Sequence, residues 1–407
     1  MQIGLTDMRN INYDLTDRQT DRQTDRQTDR QTRVIMAANY AAFYSGNFIA
    51  SLSSLENVLV SHGLSVSYVF PKNAPFANWG EDGKYQQNHD VHVTDFDSQS
   101  LARFLKEMVH SESRNVHMIV HMHFFDWKTI AAVTKSLKKE NCTFIVQEHM
   151  RVDFGRDESD LSFKRRLKNR VKQIAYKHAV SGCKMIGVSE AVYEDLCQIR
   201  GSKAENYLVR NAISTERLDV PSVNALSLDP AHDVVIFGTH FERKGVDIAL
   251  RAVMKAGNGL HLVVLTHRES DAVEKLNALS ADWQSYARVC HVVEDITDVY
   301  NYALCFISPS RSEAFGYAVV EAAYCNTQVI ASDIPGQNSM KCVPGIQWVK
   351  PEDADDLARA LSNCYQIHQD HPMELQKQKT VQREYIRDNF GVDRWCTEIL
   401  KVYGLLK

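Results

Sequence analysis

The stretch SRSEAFGYAVVEAA, Ser310 to Ala323, follows the short apolar run ALCFIS and sets an apolar segment between two glutamates, Glu313 and Glu321. The run reads as a buried strand, and Phe315-Gly316 lead into a helix that carries Glu321 about one turn and a half inside. One carboxylate therefore stands at a strand's carboxyl end, and the other projects from the helix that begins beside it. Free backbone N–H groups near Gly316 and Tyr317 favour a phosphate, while both carboxylates accept hydrogen bonds from sugar hydroxyls. Two isolated glutamates would otherwise read as a helix cap and a solvated helix residue.

Outward from this stretch the same grammar repeats. DVVIFG, LHLVVLT, RVCHVV, ALCFISPS and TQVIAS are short apolar runs separated by helical segments. Upstream, RVIMAANY (from Arg33), SVSYVFP, VHMIVH, TFIVQE and KMIGVS alternate with helices in the same way; NFIASLSSLENVLVSHG, for example, spaces Phe48, Ile49, Leu52, Leu55, Val58 and Leu59 helically before Gly63. Near-continuous apolar strands alternating with helices imply parallel sheets covered on both faces. The alternation fades in the polar, twice-proline stretch from Asn211 to Asp233, which reads as a linker. The expected class is α/β: two facing Rossmann-like doubly wound domains with a cleft between their strand ends. The expected boundaries are 1–32 low-complexity, 33–215 N-terminal domain, 216–232 linker, 233–390 C-terminal domain and 391–407 a C-terminal helix.

Length and composition agree. A chain of 407 residues exceeds the size at which one core stops growing, and 44% hydrophobic residues can fill two. The balance of 47 basic against 51 acidic residues gives no bulk field for nucleic acid. Nine cysteines without a CxxC pair argue against a disulfide framework and a structural zinc site, and fit a reducing cytoplasm. No apolar run is long enough to span a membrane, and the N-terminus lacks the apolar core of a signal peptide. TDRQTDRQTDRQTDRQT, Thr16 to Thr32, repeats every four residues without an apolar side chain, so it has nothing to bury. Asp, Arg, Gln and Thr can be written as one tetranucleotide repeated, which makes a translated microsatellite the expectation.

SPSRSEAFGYAVVEA resembles the glutamate motif of retaining glycosyltransferases of family 4, which have the GT-B fold. GVSEAVYEDL, LVRNAIS, FGTHFERKGVDIALRA and VIASDIPGQNS are similar to other segments of that family in the same order, from about Arg33 to Asp355. The resemblance implies that Glu313 holds the donor sugar and Glu321 the ribose, that Phe315 and Gly316 contact the donor through the backbone, and that Arg243 and Lys244 neutralise the donor pyrophosphate. His123, in IVHMHFFDW, matches a histidine that faces the transferred sugar; the His121 and His123 pair also reads as a metal site or a satisfied core pair. Gly46, in YSGNF, resembles the glycine loop before the first helix. The implied activity is transfer of a sugar from a nucleotide diphosphate sugar to a glycan or lipid-linked acceptor hydroxyl with retention, as in polysaccharide or glycolipid synthesis, with no cofactor and no required metal. A sugar-nucleotide binding protein without turnover, or a GT-B-like epimerase or phosphorylase, are the alternatives.

This chain also departs from the family. Thr239 and His240 follow Gly238 where Gly-Arg is common, Gly46 stands alone where a glycine pair is common, and Tyr324-Cys325-Asn326 replaces a small residue and glycine. Asp95-Phe96-Asp97 and Asp353-Ala354-Asp355 spell the DxD of metal-dependent transferases, a triplet that acidic chains contain by chance. FKRRLKNRVKQIAYKHA, Phe163 to Ala179, carries seven cations with Phe163, Leu167, Val171 and Ile174 on one face. Such a helix suits an anionic membrane surface. The expectation favoured here is that its apolar face packs on its own sheet.

Overall fold

The computed structural model describes residues 32–79, 84–113, 115–154, 162–293, 295–325 and 327–406. The low-complexity segment thus lies outside the described residues up to Thr32, which opens the first strand, and so does Asn326.

Among the described residues thirteen strands pair in parallel, in two sheets. The first contains Thr32–Ala38 (β1), Ser65–Pro71 (β2), Val91–Thr94 (β3), His117–His123 (β4), Cys142–Glu148 (β5), Lys184–Gly187 (β6) and Asn206–Leu208 (β7), in the order β3-β2-β1-β4-β5-β6-β7. The second contains Asp233–Phe237 (β8), His261–Leu265 (β9), Ala287–Cys290 (β10), Cys305–Ser308 (β11), Gln328–Ser332 (β12) and Ile346–Val349 (β13), in the order β10-β9-β8-β11-β12-β13. Period-two alternation sends Val34, Met36 and Ala38 into one core and Ile35 and Ala37 into another, so both faces of β1 are covered. Val234 and Ile236 divide from Val235 in the same way on β8. These are two Rossmann-like α/β units.

The chain crosses between the sheets twice. After the linker and second sheet, the helix Pro372–Phe390 ends at Gly391, which bridges to Ile213, and the Ile213 N–H donates to the Phe390 carbonyl at 2.8 Å. The final helix Val392–Tyr403 then returns to the first unit, where Trp395, Cys396, Ile399 and Leu400 join the core of Val34, Leu52 and Tyr68.

Both DxD triplets serve local structure. Asp97 accepts from the N–H groups of Gln99 and Ser100 at 3.1 and 3.0 Å and caps the helix Ser98–Ser111, while Asp95 pairs with Lys72 at 2.8 Å. Asp353 caps Ala354–Asp370, and Asp355 pairs with Lys255.

The helix Phe163–Ala179 corrects an expectation. Its apolar residues do not pack on the sheet: Phe163, Leu167, Val171 and Ile174 are 80, 55, 60 and 63% exposed. Tyr176 and Ala179 are the buried ones, and at ~100° per residue they lie on the far side from that stripe. Docking through Tyr176 leaves the stripe facing outward. Among the described residues no helix is long and apolar enough to cross a membrane.

Candidate active site

Each sheet reverses its winding at one place, between β1 and β4 in the first and between β8 and β11 in the second. The connections after such neighbours leave to opposite faces and open a crevice at the carboxyl ends of the strands. The loops after β8 and β11 carry Arg243, Lys244 and Glu313; those after β1 and β4 carry Gly46 and follow His123.

After β8 the backbone turns left-handed at His240 (φ 68°) and again at Gly245 (φ 71°), which brackets the single turn Phe241–Lys244. Gly245 is required twice over, by its φ and because an added Cβ would lie 2.1 Å from the Pro309 carbonyl oxygen. That approach presses the turn onto the loop after β11. Lys244 Nζ reaches Glu313 Oε1 at 2.7 Å, and Arg243 Nη1 lies 3.1 Å from the same oxygen and 3.0 Å from the Ser312 carbonyl. The Ser310 hydroxyl donates to Glu313 Oε1 as well, at 3.0 Å. From the other side Gly336 abuts the Glu313 backbone so closely that a Cβ would stand 1.7 Å from its carbonyl oxygen. Arg311 ties the two loops together by donating to both carboxylate oxygens of Asp247 at 2.8 and 3.0 Å.

Burial pushes the Glu313 carboxyl up, but Lys244, Arg243 and the hydrogen bonds from Lys244 and Ser310 outweigh it and hold the group below the ordinary glutamate range. Glu313 is an ionised, acceptor-only group at neutral pH.

Gly316 takes φ 96° and starts the helix Tyr317–Tyr324, with Phe315 buried beneath it. Five residues on from Gly316, Glu321 is buried, not solvated; Arg217 Nη2 donates to its Oε1, and the Tyr300 hydroxyl stands 3.5 Å from its Oε2. Burial raises the Glu321 carboxyl, with Arg217 pulling it partly back. Tyr324, at the helix's end, donates to both Asp219 oxygens at 3.0 and 2.9 Å and lies under the Arg383 guanidinium. This departure from the family ties the helix to the linker.

The first unit meets this site through the helix Gly46–Ser61. Gly46 is left-handed at φ 55°, and the neighbouring Asn47 donates to the Ala212 carbonyl, accepts from Ser214 N–H at 2.7 Å and faces the Tyr317 hydroxyl. Tyr44 stands over His267 of the second unit, ring centroids 6.0 Å apart. His123 is fully buried, behind His149: its Nδ1 bonds to His149 Nε2 at 3.1 Å, and its own Nε2 has no partner among the described residues. Phe48 packs on both rings, and Phe124 stacks on His149 at 4.0 Å. Burial holds His121 and His149 down to about 3 and His123 well below its ordinary range, so all three are neutral imidazoles. Of the three residues, His149 is the one that is not fully buried. Among the described residues no group of three His, Cys, Asp or Glu side chains could hold a metal ion.

The structure therefore brings Arg243, Lys244 and Glu313 into contact, lines up Phe315, Gly316, Tyr317 and Glu321 along the next turn, and reaches Gly46 through Asn47. Three residues escaped the sequence reading: Arg217, Asn47 and His149. Only His149 left a signal, as the polar residue just past the strand TFIVQE.

Residues 231–366 match the family model described as Glycosyl transferases group 1. Over 119 residues the chain is 37% identical to a D-inositol 3-phosphate glycosyltransferase of Mycobacterium sp. (strain KMS), covering 28% of this chain and 27% of that protein. The match thus spans about a quarter of the curated relative's length. Among solved structures, a sucrose-phosphate synthase from Thermosynechococcus elongatus superposes with a TM-score of 0.71 at 17% identity, covering 92% of this chain and 98% of that one. Anabaena HepE in complex with UDP superposes at 0.70 and 13% identity, covering 92% and 100%. The second unit carries a Glycosyl transferases group 1 domain, and the two units together have the GT-B fold.

Proposed function

We propose that this protein is a retaining glycosyltransferase of family 4 that moves a sugar from a nucleotide diphosphate sugar to an acceptor hydroxyl. The observation that carries the reading is the convergence of Lys244 and Arg243 on the Glu313 carboxylate at the winding reversal of the second sheet. Departure of a nucleoside diphosphate builds negative charge on the β-phosphate, and fixed cations beside it stabilise that charge more in the transition state than in the ground state. Lys244 and Arg243 supply them, and the reaction is proposed to need no metal. Glu313 accepts hydrogen bonds from sugar hydroxyls, Glu321 from the ribose, and the N–H groups at Gly316 and Tyr317 face the phosphates. The His123–His149 pair, joined at 3.1 Å at the carboxyl ends of β4 and β5, is the histidine set that lies nearest the transferred sugar in this reading. Retention follows if the acceptor attacks from the face the diphosphate leaves, with the diphosphate oxygen taking the acceptor's proton.

The acceptor is proposed to be a glycan or a lipid-linked alcohol, handled on the cytoplasmic side of a membrane. The exposed stripe of Phe163, Leu167, Val171 and Ile174 supports this: Lys164 flanks it on one side and Arg166, Arg170 and Lys177 on the other, the layout of a helix lying in an anionic interface.

A panel of UDP-, GDP- and ADP-sugars, assayed for nucleotide release with and without acceptor alcohols and EDTA, tests the reading. Acceptor-dependent release that survives EDTA, with a product of unchanged anomeric configuration by NMR, is expected. Binding without release would leave a sugar-nucleotide binding protein, release that requires phosphate a phosphorylase, and conversion of the donor alone an epimerase.

A further inference from the structure

We propose that Glu190 of the first unit is a positioning residue for Glu313 of the second, acting through the short turn Pro335–Met340 and a buried relay of hydroxyls, so that the donor-sugar site is set only while the two units are seated on each other. The role given to Glu313 rests on the transferase reading above. Two stretches of sequence meet to make this contact. GVSEAVYEDL runs from the end of β6 into the helix Glu190–Arg200, and VIASDIPGQNS runs from β12 into the turn Pro335–Met340. Both follow the carboxyl ends of their strands. Gly187 lets the helix fold back at once on β6, because an added Cβ would lie 2.6 Å from the Tyr193 nitrogen. Ser189 caps that helix by accepting from the Val192 N–H at 3.3 Å, and Glu190, its first residue, reaches the second unit.

The Glu190 carboxylate joins three segments. Its Oε2 accepts from the Ser339 hydroxyl of the second unit, and its Oε1 accepts from Arg210 Nε at 2.6 Å, in the segment that leaves β7. Arg210 is itself fixed: its carbonyl accepts from Arg394 Nη2 at 2.8 Å in the final helix, and its neighbours Val209 and Asn211 donate to the Gly187 and Val188 carbonyls at 3.1 Å. Burial pushes the Glu190 carboxyl up, but the bonds from Arg210 and Ser339 outweigh it and hold the group below the ordinary glutamate range. An ionised acceptor thus clasps the second unit just before Ile213, where the chain crosses between the sheets.

From Ser339 the path into the donor site is short. On the same turn Gln337 is fully buried, and its Nε2 donates to Ser308 Oγ at 2.8 Å. Ser308 Oγ lies 3.3 Å from Ser310 Oγ, and Ser310 donates to Glu313 Oε1 at 3.0 Å. The direction of the middle bond follows from its ends. An ionised Glu313 only accepts, so Ser310 gives its hydrogen there, and Ser308, which accepts from the amide, donates to Ser310. All three bonds therefore point at the carboxylate and polarise one another in the same sense. Gln337 also backs the helix start, since a Cβ on Gly316 would stand 3.3 Å from its Cγ. Ser308, Ser310, Gln337 and Ser339 are all buried. Adhesion between the units would be met more simply by apolar side chains, because buried polar groups cost free energy unless they are paired. A directed chain of donors instead fixes where one carboxylate stands.

The relay is tested on the full chain with Ser339→Ala, Glu190→Ala, Gln337→Met and Ser339→Ala/Gln337→Met, and with Lys255→Gln, which breaks the exposed pair with Asp355, as control. Hydrogen exchange without ligand reads the coupling directly. The Arg311 N–H donates to the Arg243 carbonyl at 2.8 Å at the root of the Glu313 loop. It should exchange about fivefold faster in Ser339→Ala and Glu190→Ala, and as in the wild type in the control. Steady-state transfer with the best donor of the sugar-nucleotide panel should show kcat lowered about tenfold in both variants. UDP affinity by calorimetry should be unchanged, since UDP lacks the sugar that Glu313 holds. Ser339 and Gln337 act in series, so the double variant should lose no more than Gln337→Met alone. Wild-type exchange in Ser339→Ala and Glu190→Ala, or additive losses in the double variant, overturns the proposal. So does a fall of UDP affinity and melting temperature in step with kcat, which would reduce the contact to simple adhesion. A wild type that turns over no donor of the panel would count against the transferase reading, while the exchange comparison still decides whether Glu190 governs the Glu313 loop.

Discussion

Arg217, in the segment that joins the two sheets, donates to the carboxylate of Glu321, which is buried in the helix Tyr317–Tyr324 of the second unit. The same guanidinium lies close enough to Tyr40, after β1, to act on its hydroxyl, whose pKa burial raises to about 12 while Arg217 opposes the shift. Linker, first unit and second unit therefore converge on one cation. Burial alone would favour a protonated Glu321, and Arg217 acts against that.

Arg217→Gln should raise the Glu321 pKa further, because the desolvation remains and the cation is gone. A protonated carboxyl is a poorer acceptor for ribose hydroxyls, so UDP affinity of the variant should fall by about tenfold near pH 6 and recover toward pH 8. The wild type should vary less over that range, and Arg217→Lys should restore part of the loss. Calorimetry with UDP at the two pH values decides it; equal wild-type and Arg217→Gln affinities at both would remove Arg217 from the site.

Lys244 and Glu313 should fail differently from Glu321. Lys244→Met withdraws a preorganised charge from the leaving group, a type of loss worth on the order of 10²-fold in kcat. Glu313→Gln should lower kcat more than it raises donor KM, because hydroxyl contacts near the reacting carbon strengthen as charge develops. Glu321→Gln should mainly raise donor KM. Steady-state transfer by folded variants checks all three, with EDTA as a further arm. Full activity in Lys244→Met and Glu313→Gln would sink the assignment, and abolition by EDTA would turn attention to a metal.

Lys244 and Glu313 were legible in the sequence because each sits within a few residues of a strand end, where loop position alone dictates exposure to the crevice. The alternation of apolar runs likewise foretold both sheets. Arg217 was not legible: it meets Glu321 across 104 residues of chain, and a lone arginine in a polar linker carries no pattern. His123 and His149 show a subtler limit. Period two places His121 and His123 on one face of β4, but that His149, from the next strand end, joins His123 depends on packing by Phe48 and Phe124. The helix Phe163–Ala179 was read with the right amphipathicity and the wrong side down, since periodicity identifies a face without saying what covers it.

Gly336 and Gly245 should prove irreplaceable for a steric reason that chemistry at the site does not share. A Cβ on Gly336 meets backbone, 1.7 Å from the Glu313 carbonyl oxygen and 2.4 Å from its carbon, so no side-chain rotation relieves it. At Gly245 the clash is with the Pro309 carbonyl, and φ 71° adds its own strain. Gly336→Ala and Gly245→Ala should each cost about 2–4 kcal/mol and lower donor turnover by displacing the Glu313 loop. Gly182→Ala, where nothing lies within 4 Å, is the control and should melt like the wild type. Thermal melts beside turnover assays give the comparison, and an unchanged melt for Gly336→Ala would mean that the two loops are not pressed together as described.

Glu148 provides a test of pH dependence away from the donor loops. It is buried at the end of β5, where the Tyr176 hydroxyl donates to it at 2.7 Å, and burial raises its pKa from 4.5 to about 7, the hydrogen bond opposing. A carboxyl raised on folding is protonated in the native state between those two values and ionised in the unfolded chain. Its contribution to stability is therefore fullest below about pH 4.5, declines as pH rises to about 7, and is absent above that. Glu148→Gln keeps the shape and removes the titration. The variant should gain stability relative to the wild type as pH rises from 4.5 to 8, by up to about 3 kcal/mol at 1.36 kcal/mol per unit, with most of the change complete by pH 7. Taking the difference between the two proteins cancels the buried histidines, whose low native pKa values destabilise both equally as pH falls below about 6.5. Urea unfolding of both proteins at half-unit steps measures the curve. A difference that stays flat from pH 4.5 to 8 would show that Glu148 titrates in the native state as it does in the unfolded chain.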